Sequence, residues 1–203
     1  MALSEGYADV SRETSQRLQD YEALVRKWNP SINLVARSTL EDFGTRHIVD
    51  SMQITELGGD ISHWVDLGSG GGMPGLIVAI MLKETQPNAK VTLVESDKRK
   101  ATFLRVASQE LGLSTTVMST RIEDVPALAA DVISARALAP LATLLSYAKP
   151  HLTENGRCLF LKGENFQQEI TESLVSWRFQ SEVLTSQTNP SAVVLRIKDI
   201  HRA

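Results

Sequence analysis

A chain of 203 residues, 42% hydrophobic and 22% charged, can build one ordinary globular domain with room for a small extension. Its net charge of -3 does not announce a nucleic-acid binder, nor does it exclude one, since a local basic patch is enough to engage phosphates, and no apolar run approaches the roughly 20 residues of a membrane-spanning helix. The single cysteine, Cys158, excludes internal disulfides, and four scattered histidines without a cysteine pair nearby argue against a metal site.

The first ten residues are polar and acidic, unlike a signal peptide or a basic transit segment, so a cytoplasmic protein is expected. Leu18, Tyr21, Leu24, Val25 and Trp28 then recur at three- and four-residue spacing, the apolar face of an amphipathic helix. Asn29-Pro30 is expected to stop it. Ile32 to Val35 forms a connector, and Ser38-Thr39-Leu40-Glu41 has capping-box spacing, which predicts a second helix to about Leu57. His47 and Asp50 share a face of that helix, as a structural contact to the main domain or as a lid. Gly58-Gly59-Asp60 breaks the chain, so residues 1–60 read as a helical cap and 61–203 as the main domain.

From residue 63 onward strands and helices alternate. Strands are predicted at 63–67, 90–95, 115–119, 131–135 and 157–162, and helices at 74–84, 97–111, 138–149 and 165–175. Such alternation implies an α/β fold, a Rossmann-like, doubly wound, mostly parallel sheet with helices on both faces. Two β-rich runs, Phe179 to Leu184 and Ala192 to Ile197, flank a turn at Thr188-Asn189-Pro190-Ser191 and predict a terminal antiparallel hairpin.

The most informative stretch is Asp66-Leu67-Gly68-Ser69-Gly70-Gly71-Gly72-Met73-Pro74-Gly75, between the first strand and its helix. Glycines let a ligand approach bare backbone. Gly70, Gly72 and Gly75 match the dinucleotide fingerprint, and Glu95 ends the next strand where an acid accepts hydrogen bonds from ribose hydroxyls. NAD and S-adenosylmethionine both carry such a ribose. Asp66 before the turn suits the cationic amino-acid portion of S-adenosylmethionine, directly or through water. The terminal hairpin and the lack of a second domain to hold a hydride acceptor point the same way.

The chain resembles the small-subunit ribosomal RNA methyltransferase G family. The likeness rests on Tyr21-x-x-Leu24-x-x-x-Trp28-Asn29-x-x-x-Asn33-Leu34, on Arg46-His47-x-x-Asp50-Ser51, on the glycine turn, and on Val94-Glu95-Ser96-x-x-Lys100-x-x-Phe103-Leu104. Arg121-Ile122-Glu123, Ser134-Ala135-Arg136-Ala137 and Leu161-Lys162-Gly163 continue it over nearly the whole chain. Two departures are visible: Ile122 stands where the family often has alanine, and serine and arginine in Ser134-Ala135-Arg136 are one residue further apart than usual. The resemblance implies a class I S-adenosylmethionine-dependent methyltransferase that methylates N7 of guanine 527 in the 530 loop of 16S rRNA. It implies cofactor contacts at Gly68, Met73, Ile122, Glu123 and Arg136, with Glu95 at the ribose.

Guanine N7 attacks through an in-plane lone pair and loses no proton first, so alignment and electrostatics matter more than a general base. Arg136, just past the fourth predicted strand, is the residue expected to position the reactants, through the cofactor carboxylate, guanine O6 or a phosphate. A donor on N7 itself would block the attacking lone pair. Lys98, Arg99, Lys100, Arg121 and Lys162 are candidate RNA contacts: cations are unfavourable at a helix start, so Lys98, Arg99 and Lys100 there hint at phosphate binding, and Lys162 at a strand end is placed to face the cleft. The small ribosomal subunit or its assembly intermediate is the expected partner, with no membrane partner and a monomeric state. Two other readings stay open from the residues: a non-catalytic rRNA-binding assembly factor and an NAD-linked oxidoreductase.

Overall fold

The computed structural model describes residues 10–203, so the acidic N-terminal segment lies almost wholly outside the described residues. The first helix, α1 (Arg12–Ile32), begins at Ser11, whose Oγ accepts from Thr14 N–H at 3.1 Å. It buries Leu18, Tyr21, Leu24 and Val25, the predicted apolar face. The helix does not stop at Asn29-Pro30. Pro30 lies in its last turn, and Asn33 in the left-handed region ends it, with its N–H on Asn29 O at 3.0 Å. Asn29 is held there because its side-chain Oδ1 accepts from Val35 N–H at 2.9 Å.

The second helix is also not the continuous one that the capping-box spacing predicts. Arg37–Thr39 is a 3-10 turn and Gly44–Val49 is wound as a π-helix, which runs directly into α2 (Asp50–Leu57). The wider π winding accompanies buried Phe43, His47 and Ile48.

The remaining strands and helices fall close to their predicted places. They are β1 (His63–Leu67), α3 (Gly75–Thr85), β2 (Lys90–Val94), α4 (Lys98–Glu110), β3 (Thr115–Met118), β4 (Ala130–Arg136), α5 (Leu141–Ala148), β5 (Leu152–Lys162), α6 (Phe166–Ser173), β6 (Trp177–Thr185) and β7 (Val193–Arg202). Boundaries shift for local reasons. Asp97 is the cap of α4, accepting from Arg99 and Lys100 N–H groups, and Pro140 precedes α5. The two terminal strands are longer than predicted because each extends the other's ladder across polar residues such as Arg178 and His201.

The seven strands form one sheet in the order β3-β2-β1-β4-β5-β7-β6. β1 to β5 are mutually parallel where they pair, and β7 is antiparallel to both β5 and β6. This is the doubly wound sheet with a terminal antiparallel hairpin. The order reverses between β1 and β4, so their carboxyl ends open the crevice where such sheets bind ligands.

Each face of the sheet has its own core. One packs Val65, Leu67, Ile133, Ala135, Cys158 and Phe160 with α5 and α6 residues. The other packs Trp64, Val91, Leu93 and Val132 with α3, α4 and the N-terminal helices, through Leu18, Tyr21, Phe43, Ile48 and Ile54. The N-terminal helices therefore share a core with the main sheet. Among the described residues, no helix is long and apolar enough to cross a membrane.

Candidate active site

The glycine turn links the end of β1 to α3 and is fixed from beneath. Asp66 is fully buried under it. Its Oδ1 accepts from Ser134 Oγ–H at 2.6 Å, and Ser134 Oγ in turn accepts from Trp64 Nε1–H at 2.8 Å. Asp66 Oδ2 accepts from Gly75 N–H at 3.2 Å. A side chain at Gly75 is sterically barred, since its Cβ would lie 2.6 Å from that same Oδ2. Gly72, at φ +89°, has no room either, because a Cβ would meet Leu76 Cδ1 at 2.6 Å. Burial pushes the Asp66 carboxyl up to about 6, against the pull of the Ser134 and Gly75 hydrogen bonds and of Arg136.

Asp66 and Gly72, two of the expected cofactor contacts, are not among the residues that line the cleft above the turn. Neither lines the cleft, because both of Asp66's oxygens are turned to the turn's own supports and Gly72 is spent on packing against Leu76. Both hold the shape of the turn.

From α1, Tyr21 O–H donates to Gly71 O at 2.6 Å in a fully buried contact. Burial raises the Tyr21 phenol far above its ordinary range, so it stays a donor. On the opposite side Glu95, the first residue beyond β2, accepts from Gly70 N–H at 2.8 Å and Asp97 N–H at 2.7 Å.

Above the turn lies a cleft of about 350 Å³. Gly68, Gly70, Met73, Glu95, Ile122, Glu123 and Arg136 line it, which are seven of the expected cofactor contacts brought together from the turn after β1, the residue after β2, the end of β4 and the 3-10 turn Ile122–Asp124. Leu34, Leu138 and Tyr147 also line it; Leu34 closes the N-terminal motif but carries no expected cofactor role, and nothing in the sequence context of Leu138 or Tyr147 marks them out. The cleft fits S-adenosylmethionine: each Glu95 oxygen has a spare lone pair for ribose hydroxyls, and Leu34, Ile122 and Leu138 offer apolar walls for a purine.

Arg136 is the last residue of β4, not the first beyond it. Its Nη2 lies 3.4 Å from Met73 Sδ and its Nη1 lies 3.8 Å from Asp50 Oδ2. It walls the cleft and also two neighbouring cavities, of about 550 and about 240 Å³. Burial lowers its proton affinity while Asp50 raises it, and an arginine stays cationic under such a balance.

His47 and Asp50 do not pair with each other. His47 Nε2 faces Thr39 Oγ1 at 2.8 Å, and burial, with Arg136 and Arg46 nearby, pushes the imidazole down to about 4. Asp50 reaches instead to the β6–β7 loop and to Arg136, a placement that sequence spacing does not reveal. Ser134, noted in the sequence only for its spacing from Arg136, is likewise a support of the turn through its bond to Asp66.

The basic candidates divide. Lys100 and Arg121 line the glycine-turn cleft, and Lys98 and Arg99 are exposed at the start of α4 beside it. Lys162 is not with them. It lines the smaller cavity beyond Arg136, where its ammonium lies 2.6 Å from Glu169 and donates to Ala139 O at 3.1 Å. Cys158 is buried in β5 with its thiol pushed far up by burial, outside all three cavities.

Comparison with known proteins agrees with this geometry. The family model GidB, described as rRNA small subunit methyltransferase G, matches residues 14–194. The chain is 50% identical over 194 residues to the ribosomal RNA small subunit methyltransferase G of Ruegeria sp. (strain TM1040), covering 96% of this chain and 95% of that one. It is 52% identical over 191 residues to the protein of the same name from Cereibacter sphaeroides, covering 94% and 93%. Among solved structures, an S-adenosylmethionine-dependent methyltransferase from Aquifex aeolicus shares the fold at a TM-score of 0.60 and 13% identity, covering 87% of this chain and 97% of that one.

Proposed function

The chain belongs to the rRNA small subunit methyltransferase G family, and on that premise we propose that it transfers a methyl group from S-adenosylmethionine to N7 of guanine 527 in the 530 loop of 16S rRNA. The observation that carries this reading is the position of Arg136, which walls both the glycine-turn cleft and the two cavities beside it. One cavity set suits a nucleoside-bearing methyl donor, the other a base, and the residue between them is a cation.

Bound in the cleft, S-adenosylmethionine supplies a methyl group on a cationic sulfur, open to attack by an in-plane nitrogen lone pair. The protein's work is then to hold and orient. Glu95 takes the ribose hydroxyls. The turn backbone at Gly68 and Gly70 and the side chain of Met73 hold the amino-acid portion. Ile122 and Glu123 hold the adenine. Asp66 keeps the turn in shape from beneath. Arg136 fixes the reacting groups by donating to an electronegative neighbour of the attacking nitrogen, and leaves the nitrogen's lone pair free. Lys98, Arg99, Lys100 and Arg121 meet the RNA backbone around the cleft mouth, and Lys162, pinned by Glu169, shapes the acceptor side. Residues 1–60 act as a cap on the main domain. The protein works as a monomer in the cytoplasm, where ribosomal subunits are made.

The test is single-turnover methylation of small subunits from a strain lacking this activity, with the product nucleoside mapped by mass spectrometry. One 7-methylguanosine at the 530 loop is expected. Arg136→Ala should slow transfer by about 100-fold with an unchanged melting temperature. Bound cofactor with no label in the rRNA would instead favour a non-catalytic assembly factor, and tight NAD binding an oxidoreductase.

A further inference from the structure

Asp50 stands where the two cavities beyond Arg136 meet. It lines both, and so does Arg136. Its two carboxylate oxygens live in different surroundings. Oδ1 accepts three hydrogen bonds, from Gln53 Nε2 at 2.8 Å, Ser186 Oγ at 3.0 Å and Thr188 Oγ1 at 3.1 Å. Among the described residues Oδ2 accepts none, and the cation facing it, Arg136 Nη1, stands off at 3.8 Å. Three donors on one oxygen hold the side chain's direction, so the other oxygen is aimed and left unfilled. The two side chains are only 15% and 18% exposed, so a polar ligand meeting them does so largely out of water.

This pair presents a donor, Arg136, next to an acceptor, Asp50. A guanine shows the complementary order along its edge: N7, then the O6 acceptor, then the N1–H and 2-amino donors. An adenine shows a donor at N6 and an acceptor at N1, which would set donor against donor and acceptor against acceptor. Arg136 also borders the cofactor cleft. A guanine placed with O6 on Arg136 therefore has N7 on the cleft side and its N1 edge on the Asp50 side.

We propose that Asp50 is the residue that selects guanine, its Oδ2 accepting from N1–H and the 2-amino group while Arg136 donates to O6. The inference rests on the guanine-methylation reading above and adds to it the group that recognises the base. Asp50 touches the substrate and not the cofactor, because it does not line the cofactor cleft.

The experiment uses the full chain and small subunits reconstituted with either guanosine or inosine, which lacks the 2-amino group, at the target position. Wild type should methylate the guanosine substrate with a kcat/KM roughly 10- to 100-fold above that for inosine. In Asp50→Asn, Oδ1 keeps its three donors and an amide N–H replaces Oδ2, facing the base's own donors. Its guanosine rate should fall by a similar factor and its guanosine-to-inosine ratio should approach one, with S-adenosylmethionine affinity unchanged. A merely structural Asp50 would lower both rates and leave the ratio alone, and that result overturns the proposal. Equal use of guanosine and inosine by wild type overturns it without any variant. Transfer to neither RNA by wild type removes the guanine-methylation reading itself, and the inference with it.

Discussion

Two buried titratable side chains next to the site pull its acid response in opposite directions. Asp66 has its carboxyl raised to about 6 in the folded protein, so folding takes up a proton there. The stability this gives is complete below the ordinary carboxylate value of about 3.9 and is lost as pH rises through about 6. His47 is depressed to about 4, so its stability is complete above the ordinary value of about 6.5 and is lost as pH falls through about 4. Over pH 4–6.5 the two slopes oppose each other. Denaturant unfolding at pH 7 and pH 4.5 should therefore separate the single variants. Asp66→Asn should lose more stability on acidification than wild type, and His47→Gln less; the reverse order would remove this account of the two groups. Arg136 lies close enough to bear on both, favouring the charged aspartate and disfavouring the charged imidazole.

At the scale of elements, the glycine-turn cleft depends on a helix remote from it in the chain. α1 places Tyr21 so that its hydroxyl carries the Gly71 carbonyl, and the loop after α1 places Leu34 in the cleft wall. Tyr21→Phe keeps the ring's packing and removes the donor, which leaves a buried carbonyl unpaired. Unfolding free energy should drop by about 1–3 kcal/mol, and S-adenosylmethionine should bind severalfold more weakly by calorimetry. An unchanged affinity would show that the turn holds its shape without α1. The amphipathic pattern of α1 was readable in the sequence because helix period and apolar spacing are local. Its end was not: Pro30 looks like a stop, yet Asn29's side chain, tied to Val35 N–H, holds the helix to Ile32. The π-helix at Gly44–Val49 was likewise illegible, since nothing in residue spacing separates it from an α-helix.

For the whole molecule, the organising fact is one core shared by the N-terminal helices and the sheet. Leu18, Tyr21, Phe43, Ile48 and Ile54 pack in the same cluster as Trp64, Leu93 and Val132. A fragment of residues 61–203 would keep α3 and α4 on that face but expose to water the part of this core that α1, the π-helix and α2 cover. It should fail to show a cooperative thermal transition and should bind a hydrophobic dye, whereas the full chain unfolds in one step. A cooperative transition in the fragment would mean that the cap is dispensable for folding. By itself the sequence determined the strand-turn-helix at Asp66–Gly75, the alternation of elements, the terminal hairpin and the acid at Glu95, because steric limits on glycine and the periods of helix and strand act between near neighbours in the chain. The tertiary structure alone decided that Asp66 supports the turn from beneath, that Ser134 and Tyr21 are its props, that Lys162 is neutralised by Glu169, and that Asp50 meets Arg136. Those pairings join residues distant in sequence. Strand order, register and the packing of α1 and α2 bring them together, and no local pattern encodes them.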